Sequence, residues 1–242
     1  MSNAEQPFYR RPVWIVVAIF LAVVLVGGGT AAVTGVFGGG EDTTSSPTPA
    51  PTQTADVPES AASICGLEGY DTENTLTSAP TTDWELVGTV ATPTGADGAG
   101  PGETSDDGVR TCYAHTAKGA LYAIVNYYAQ SSDARLAPNI ADLVAPGPGK
   151  EAALDSASSA PTSSATRLQV AGFKVNNYSP DETTIDVVWT VTSEENTLVS
   201  MPMVMKWVDG DWKVEVADDG SFPFAASALQ SLGGYTPWAA GV

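Results

Sequence analysis

The longest uninterrupted apolar run, VWIVVAIFLAVVLV, occupies positions 13–26, and GGGTAAVTGVFGGG extends it with small and apolar residues through Phe37. A helix over 13–37 would rise about 37 Å, enough to cross a hydrocarbon core of roughly 30 Å. Arg10 and Arg11 precede the run and Glu41 and Asp42 follow it. The pattern therefore predicts a cytoplasmic tail over 1–12, a transmembrane helix over 13–37 and an extracytoplasmic remainder. A cleaved signal peptide is the alternative, because the strongest stretch is short and Thr30 and Ala32 offer small residues to a peptidase.

Beyond the apolar run the periodicity changes in stages. Residues 38–63 hold almost no large apolar side chain and several prolines, which predicts a disordered Ser/Thr/Pro-rich linker reaching as much as roughly 70 Å when extended. Residues 64–110 are turn-rich, with the strand-like WELVGTV at 84–90, and read as an irregular lead-in. From Ala117 the pattern is helical: Leu121, Ile124, Val125 and Tyr128 fall on one stripe, with Thr116 placed as N-cap. A second short helix is expected within 133–145, ahead of the Pro146–Gly149 turn signals, and the Ala/Ser-rich stretch 150–164 reads as a weak helix or a loop.

From Thr166 the period becomes two. LQVAGFKV with a Gly-containing irregularity, TIDVVWTV and TLVSMPMVMKWV read as successive antiparallel strands. Asp209-Gly210 is a two-residue hairpin signal joining the last of these to DWKVEV. With that loop Val208 faces Asp211, Trp207 faces Trp212 and Lys206 faces Lys213, so Trp207 and Trp212 share the apolar face. The order predicts an α+β extracytoplasmic domain over 111–242, helices first and then a curved antiparallel sheet on which they pack.

Charge narrows the partners. The chain carries 10 basic against 28 acidic residues, a net charge of −18, and between Arg11 and Arg110 there is no Lys, Arg or His. Nucleic acid is excluded as a partner, because phosphate binding needs a basic face. Other membrane or envelope proteins, or a second copy of the chain, are the expected partners, with membrane attachment through the N-terminal helix.

Cys65 and Cys112 are the only cysteines. On the far side of a membrane they most simply form one disulfide, closing a loop worth about 4 kcal/mol in the chain-entropy model. The competing chemistries are weak: there is no C-x-x-C, and one His does not complete a usual zinc site. His115 is the only histidine. It has no identifiable nucleophile or orienting acid beside it in sequence, so a structural role is favoured over catalysis.

Asp106-Asp107, Glu194-Glu195 and Asp218-Asp219 read as solvated turns. Tyr127, Tyr128, Trp189 and the methionines fall on core-facing positions and read as packing before cavity lining. Asn177-Tyr178-Ser179 fits a glycosylation acceptor, a short and weak pattern. No catalytic residue, cofactor or metal is expected.

The helix block, the long bent strands and the closing WVDGDWKV hairpin resemble the nuclear transport factor 2-like cone fold. With a single N-terminal span they resemble the bitopic scaffold proteins of conjugative and type IV secretion systems. Ser63-Ile64-Cys65-Gly66-Leu67, Trp84 and Cys112-Tyr113-Ala114-His115-Thr116 leading into Gly119–Ala123 resemble a family of actinobacterial single-span, double-Cys proteins associated with mobile elements. The resemblance implies a non-enzymatic assembly component. A surface module binding a small molecule or envelope polymer in its cone is the alternative.

Overall fold

A computed structural model describes residues 61–95, 98–133, 135–159, 167–192 and 196–241. The apolar segment at 13–37, the tail over 1–12 and most of the linker lie outside the described residues.

Two small sheets come first. β1 (Asp83–Val87) and β2 (Val90–Thr94) form an antiparallel hairpin, and β3 (Glu103–Thr104) pairs antiparallel with β4 (Arg110–Thr111). The stretch read as one strand at 84–90 is thus the first arm of a hairpin plus its turn. Gly88, at φ 59°, supplies the left-handed backbone that reverses the chain.

Helix α1 (Ala117–Ser132) begins where expected, with the Thr116 hydroxyl accepting the Gly119 N–H at 3.0 Å. It is buried on nearly every side, not along one stripe, because the β1–β2 hairpin and the segment 137–143 pack on it in addition to the main sheet. Polar groups enclosed this way bond to neighbouring backbone, the buried Oδ1 of Asn126 excepted. Asn126 donates to the carbonyls of Pro93 and Tyr122, and Gln130 accepts the Arg110 N–H at 2.7 Å. A 3-10 helix (Ala137–Leu143) and α2 (Pro148–Ser159) follow.

The main sheet is antiparallel. β5 (Leu168–Tyr178), β6 (Glu182–Val191), β7 (Thr197–Val208) and β8 (Asp211–Val214) form a meander. β5 is bulged between Val170 and Gly172. Val170, Phe173, Ile185, Val187, Trp189, Met201, Met203, Met205, Trp212 and Val214 are buried together with Leu121, Ile124 and Tyr128 of α1.

Two C-terminal strands complete the six-stranded sheet. β9 (Ser227–Leu229) pairs with Leu198–Ser200 on the β7 edge, and β10 (Thr236–Pro237) pairs with Gly172 and Phe173 on β5. The connection crosses the second face, where the Tyr235 hydroxyl donates to the Asp186 carboxylate at 2.7 Å. Trp238 then enters the core, its ring 4.8 Å from Trp84, 5.7 Å from Phe173 and 5.9 Å from Tyr122.

This architecture corrects the expected fold class. Among the described residues no helix is long and apolar enough to cross a membrane: α1 has 16 residues, a rise of about 24 Å. Helices do precede the β5–β8 meander, but the helix-then-four-strand layout that the cone resemblance required is extended at both ends. Turn residues break the lead-in into hairpins ahead of α1, and the C-terminal segment returns to add strands at both edges. The result is a sheet-rich, mostly antiparallel fold.

Candidate functional site

The hairpin between β7 and β8 anchors the site. Asp209 and Gly210 have φ of 54° and 78°, the paired positive values of a tight two-residue turn. The turn sets Val208 opposite Asp211, Trp207 opposite Trp212 and Lys206 opposite Lys213. The two indoles stand edge to face at 5.3 Å. Gly210 is required twice over: besides its φ, a Cβ there would lie 2.9 Å from the Ile64 nitrogen. That close approach lets the Ile64 N–H donate to the Gly210 carbonyl at 2.8 Å, docking the lead-in on the hairpin tip.

Directly after that contact, Cys65 is disulfide-bonded to Cys112. Cys112 has φ 64°, a conformation costly for a residue with a Cβ. The Asp211 carboxylate holds it: Oδ2 accepts the Cys112 N–H at 2.8 Å, and Oδ1 accepts the N–H groups of Tyr113 at 2.8 Å and Trp212 at 2.9 Å. Burial pushes the Asp211 carboxyl above the usual carboxylate range, outweighing those three N–H donors and nearby Lys213, which pull it down. The Tyr113 phenol is pushed well up, chiefly by burial and then by the Asp211 charge.

His115, 2% exposed, lies at the centre. Its Nδ1 is 2.9 Å from the Ala61 carbonyl oxygen and its Nε2 2.6 Å from that of Pro180. The ring stacks on Trp207 at 3.7 Å with a 7° tilt, and Tyr70 and Trp212 meet it edge-on at 5.0 and 5.6 Å. Beside these rings opens a cleft of about 550 Å³, walled by Ala61, Ala62, Ile64, Pro180, Asp181 and Asp209 among others. No Lys or Arg lines it.

The structure thus brings Cys65, Cys112, Trp207, Asp209, Gly210 and Trp212 to one junction, together with His115. Asp211 was not singled out from sequence; its signal was an acid directly before the core-period Trp212, where a bare solvent turn needs only Asp209-Gly210. Asp181 and Tyr70 carried no signal, since neither belongs to a periodic pattern.

The other acids do not join the site. Asp106, Asp107, Asp218 and Asp219 are exposed, and Glu194 and Glu195 lie outside the described residues. Trp189 and the three methionines of β7 are buried in the core, and Asn177 is exposed at the end of β5. Among the described residues no cluster of His, Cys, Asp and Glu is arranged to hold a metal. Both nitrogens of His115 face backbone carbonyls, so the junction offers carboxylates, carbonyls and aromatic surface for binding, without a nucleophile paired to a base.

Residues 44–237 match the model of a family described as a domain of unknown function, DUF8175. The chain belongs to that family. The matched stretch begins within the Ser/Thr/Pro-rich segment and runs through β10, so the junction, the meander and the C-terminal crossing all fall inside the DUF8175 domain. No curated protein and no solved structure matches the chain.

Proposed function

We propose that this protein is a membrane-tethered extracytoplasmic assembly component, non-enzymatic, whose DUF8175 domain docks other membrane or envelope proteins or a second copy of itself. The observation that carries the reading is the Cys65–Cys112 disulfide, which is at home in an oxidising compartment. The apolar run at 13–37, flanked by Arg10-Arg11 and by Glu41-Asp42, supplies the anchor and its orientation. The linker stands the domain off the lipid and joins it at the cleft.

A narrower form places the protein in a conjugative, type IV secretion-like apparatus of an actinobacterial mobile element. It rests on the resemblance of Ser63–Leu67 and Cys112–Thr116 to double-Cys single-span proteins, and genes for coupling and transfer ATPases beside its own would support it. A second reading is favoured by the cleft, whose volume of about 550 Å³ falls in the range of small-molecule sites. It would hold a small molecule or a stretch of envelope polymer without acting on it.

Protease added to intact, wall-stripped cells tests the topology. Loss of the domain with the tail retained is the expected result. Full protection overturns it, and a released mature form starting near Val33 replaces the anchor with a cleaved signal. Cross-linking from a photoreactive residue at Ile64, 66% exposed at the cleft, should trap a protein partner. Trapping nothing while an envelope polymer co-purifies would favour the second reading.

A further inference from the structure

His115 meets a hydrogen-bond acceptor on each side of its ring, the carbonyl oxygens of Ala61 at Nδ1 and of Pro180 at Nε2. A peptide carbonyl has no proton to give. Each contact is therefore a hydrogen bond only where the ring nitrogen carries an N–H, and a neutral imidazole carries one. Its second contact would set a nitrogen lone pair against an oxygen lone pair at 2.6 or 2.9 Å, on a ring that is 2% exposed. We infer that His115 is an imidazolium clasp: protonated on both nitrogens, it joins the start of the lead-in to the β5–β6 turn, and the junction loosens when that proton is lost.

The surroundings suit a cation. The face of Trp207 lies parallel to the ring at 3.7 Å, within the range where an indole attracts positive charge. Asp181, from the β5–β6 turn, and Asp209, from the hairpin tip, line the same cleft. From the lead-in, Asp71 accepts the Ala117 N–H and Tyr70 presents its ring edge-on. Asp211 sits behind, on β8, holding the Cys112 and Tyr113 N–H groups, and the Tyr178 hydroxyl of β5 points at the His115 carbonyl from 3.5 Å. The nearby cations are committed elsewhere. Lys118 lies over Tyr122, Lys206 pairs with Glu215 and Lys213 donates to the Asp142 carbonyl.

Loss of the proton to solvent leaves one of the two carbonyls facing a lone pair, and its segment is let go. The disulfide and the Ile64 to Gly210 hydrogen bond still hold the chain from Ile64 onward, so the loosening is confined to residues 61–63 and 179–182. Because the clasp needs the charged ring, it is complete while both ring nitrogens carry a proton and is released when one is given up. This holds whatever the cleft binds.

The test uses the full chain, labelled with nitrogen-15, in detergent micelles between about pH 5 and about pH 8. At the acid end both ring nitrogens of His115 should show a directly bonded proton. As one is lost, amide exchange over 61–63 and 179–182 should rise several-fold beyond the intrinsic increase with hydroxide, while amides in the centre of β6 and β7 keep their protection. His115→Phe, which preserves the ring stack and donates nothing, should abolish that extra step. A single neutral tautomer across the whole range overturns the inference, and so does an unchanged pH profile in His115→Phe. Where that variant does not fold, the ring-nitrogen spectra of the unaltered chain still decide.

Discussion

The β5–β8 meander and the lead-in over residues 61–111 are stabilised in opposite ways. In the meander one rule repeats: alternate residues of β6 and β7 turn into the core, so Ile185, Val187 and Trp189 lie against Met203, Met201 and Val199 in register. The lead-in has no such rule. It is held by contacts used once each: a disulfide, the Ile64 N–H on Gly210, the Asp211 carboxylate behind Cys112, and the Arg110 to Glu85 ion pair at 2.7 Å. Damage to the meander should therefore spread through a shared core, whereas damage to the lead-in should be local and bond-specific.

The largest loss is expected where an aromatic ring is shared by both regions. Trp238 touches Trp84 of the lead-in hairpin and Phe173 of the meander, and Trp212 is in edge contact with His115 and Trp207 while its Nε1 donates to the Ala114 carbonyl at 3.0 Å. Trp238→Ala or Trp212→Ala should each cost about 3–5 kcal/mol in a denaturant melt. A loss under about 1 kcal/mol at either position would mean that the two regions do not share a core.

Next comes the disulfide. Replacing Cys65 and Cys112 together by Ala should cost about 2–4 kcal/mol. Limited proteolysis should then cut the lead-in first while β6 and β7 stay protected. Equal exposure of both regions would erase the distinction between them.

These two regions also differ in how far they could be read from sequence. The meander was legible because its information is periodic: the β7 range, the bulge in β5 and the Trp207–Trp212 register all follow from alternation and one turn dipeptide. In the lead-in the disulfide could be foreseen, because two cysteines leave one pairing, and so could a strand at Trp84. That Ala61 and Ser63 are already buried, or that Pro180 meets His115, depends on single bonds between distant positions. The C-terminal crossing was equally opaque. β9 and β10 have three and two residues, too short for any period to register, and the helix stripe misled because the second covering layer, β1–β2, was hidden in a glycine-broken segment.

A smaller effect should separate charge from hydrogen bonding at Asp211. Asn keeps one acceptor oxygen, so Asp211→Asn leaves the Cys112 N–H or those of Tyr113 and Trp212 without a partner, a cost of about 1–3 kcal/mol. The pH dependence carries the sign. Burial raises the Asp211 carboxyl in the folded chain, so the folded state binds that proton more tightly than the unfolded state does. Its contribution to stability is fully present below the ordinary carboxylate value and is lost as pH rises through the folded one. The difference in stability between the native chain and Asp211→Asn, measured by melts at a series of pH values, should shift in the variant's favour as pH rises. A shift the other way would mean that the three N–H donors outweigh burial.

The smallest effect is expected one residue from the largest. Lys213 follows Trp212 on β8 but faces away from the core, opposite Lys206, with its Nζ donating to the Asp142 carbonyl at 2.7 Å in an exposed contact. An exposed bond of this kind exchanges for one to water at little net gain, and the nearby positive charge of Lys206 is itself neutralised by Glu215 at 2.9 Å. Lys213→Ala should therefore change stability by no more than about 0.5 kcal/mol. Paired with Trp212→Ala it measures the alternation of the strand at adjacent positions, so that composition and location cancel. Losses of similar size at both would place the two side chains on equivalent faces, which the Asp209-Gly210 turn forbids, and the hairpin that receives the lead-in would have a different register.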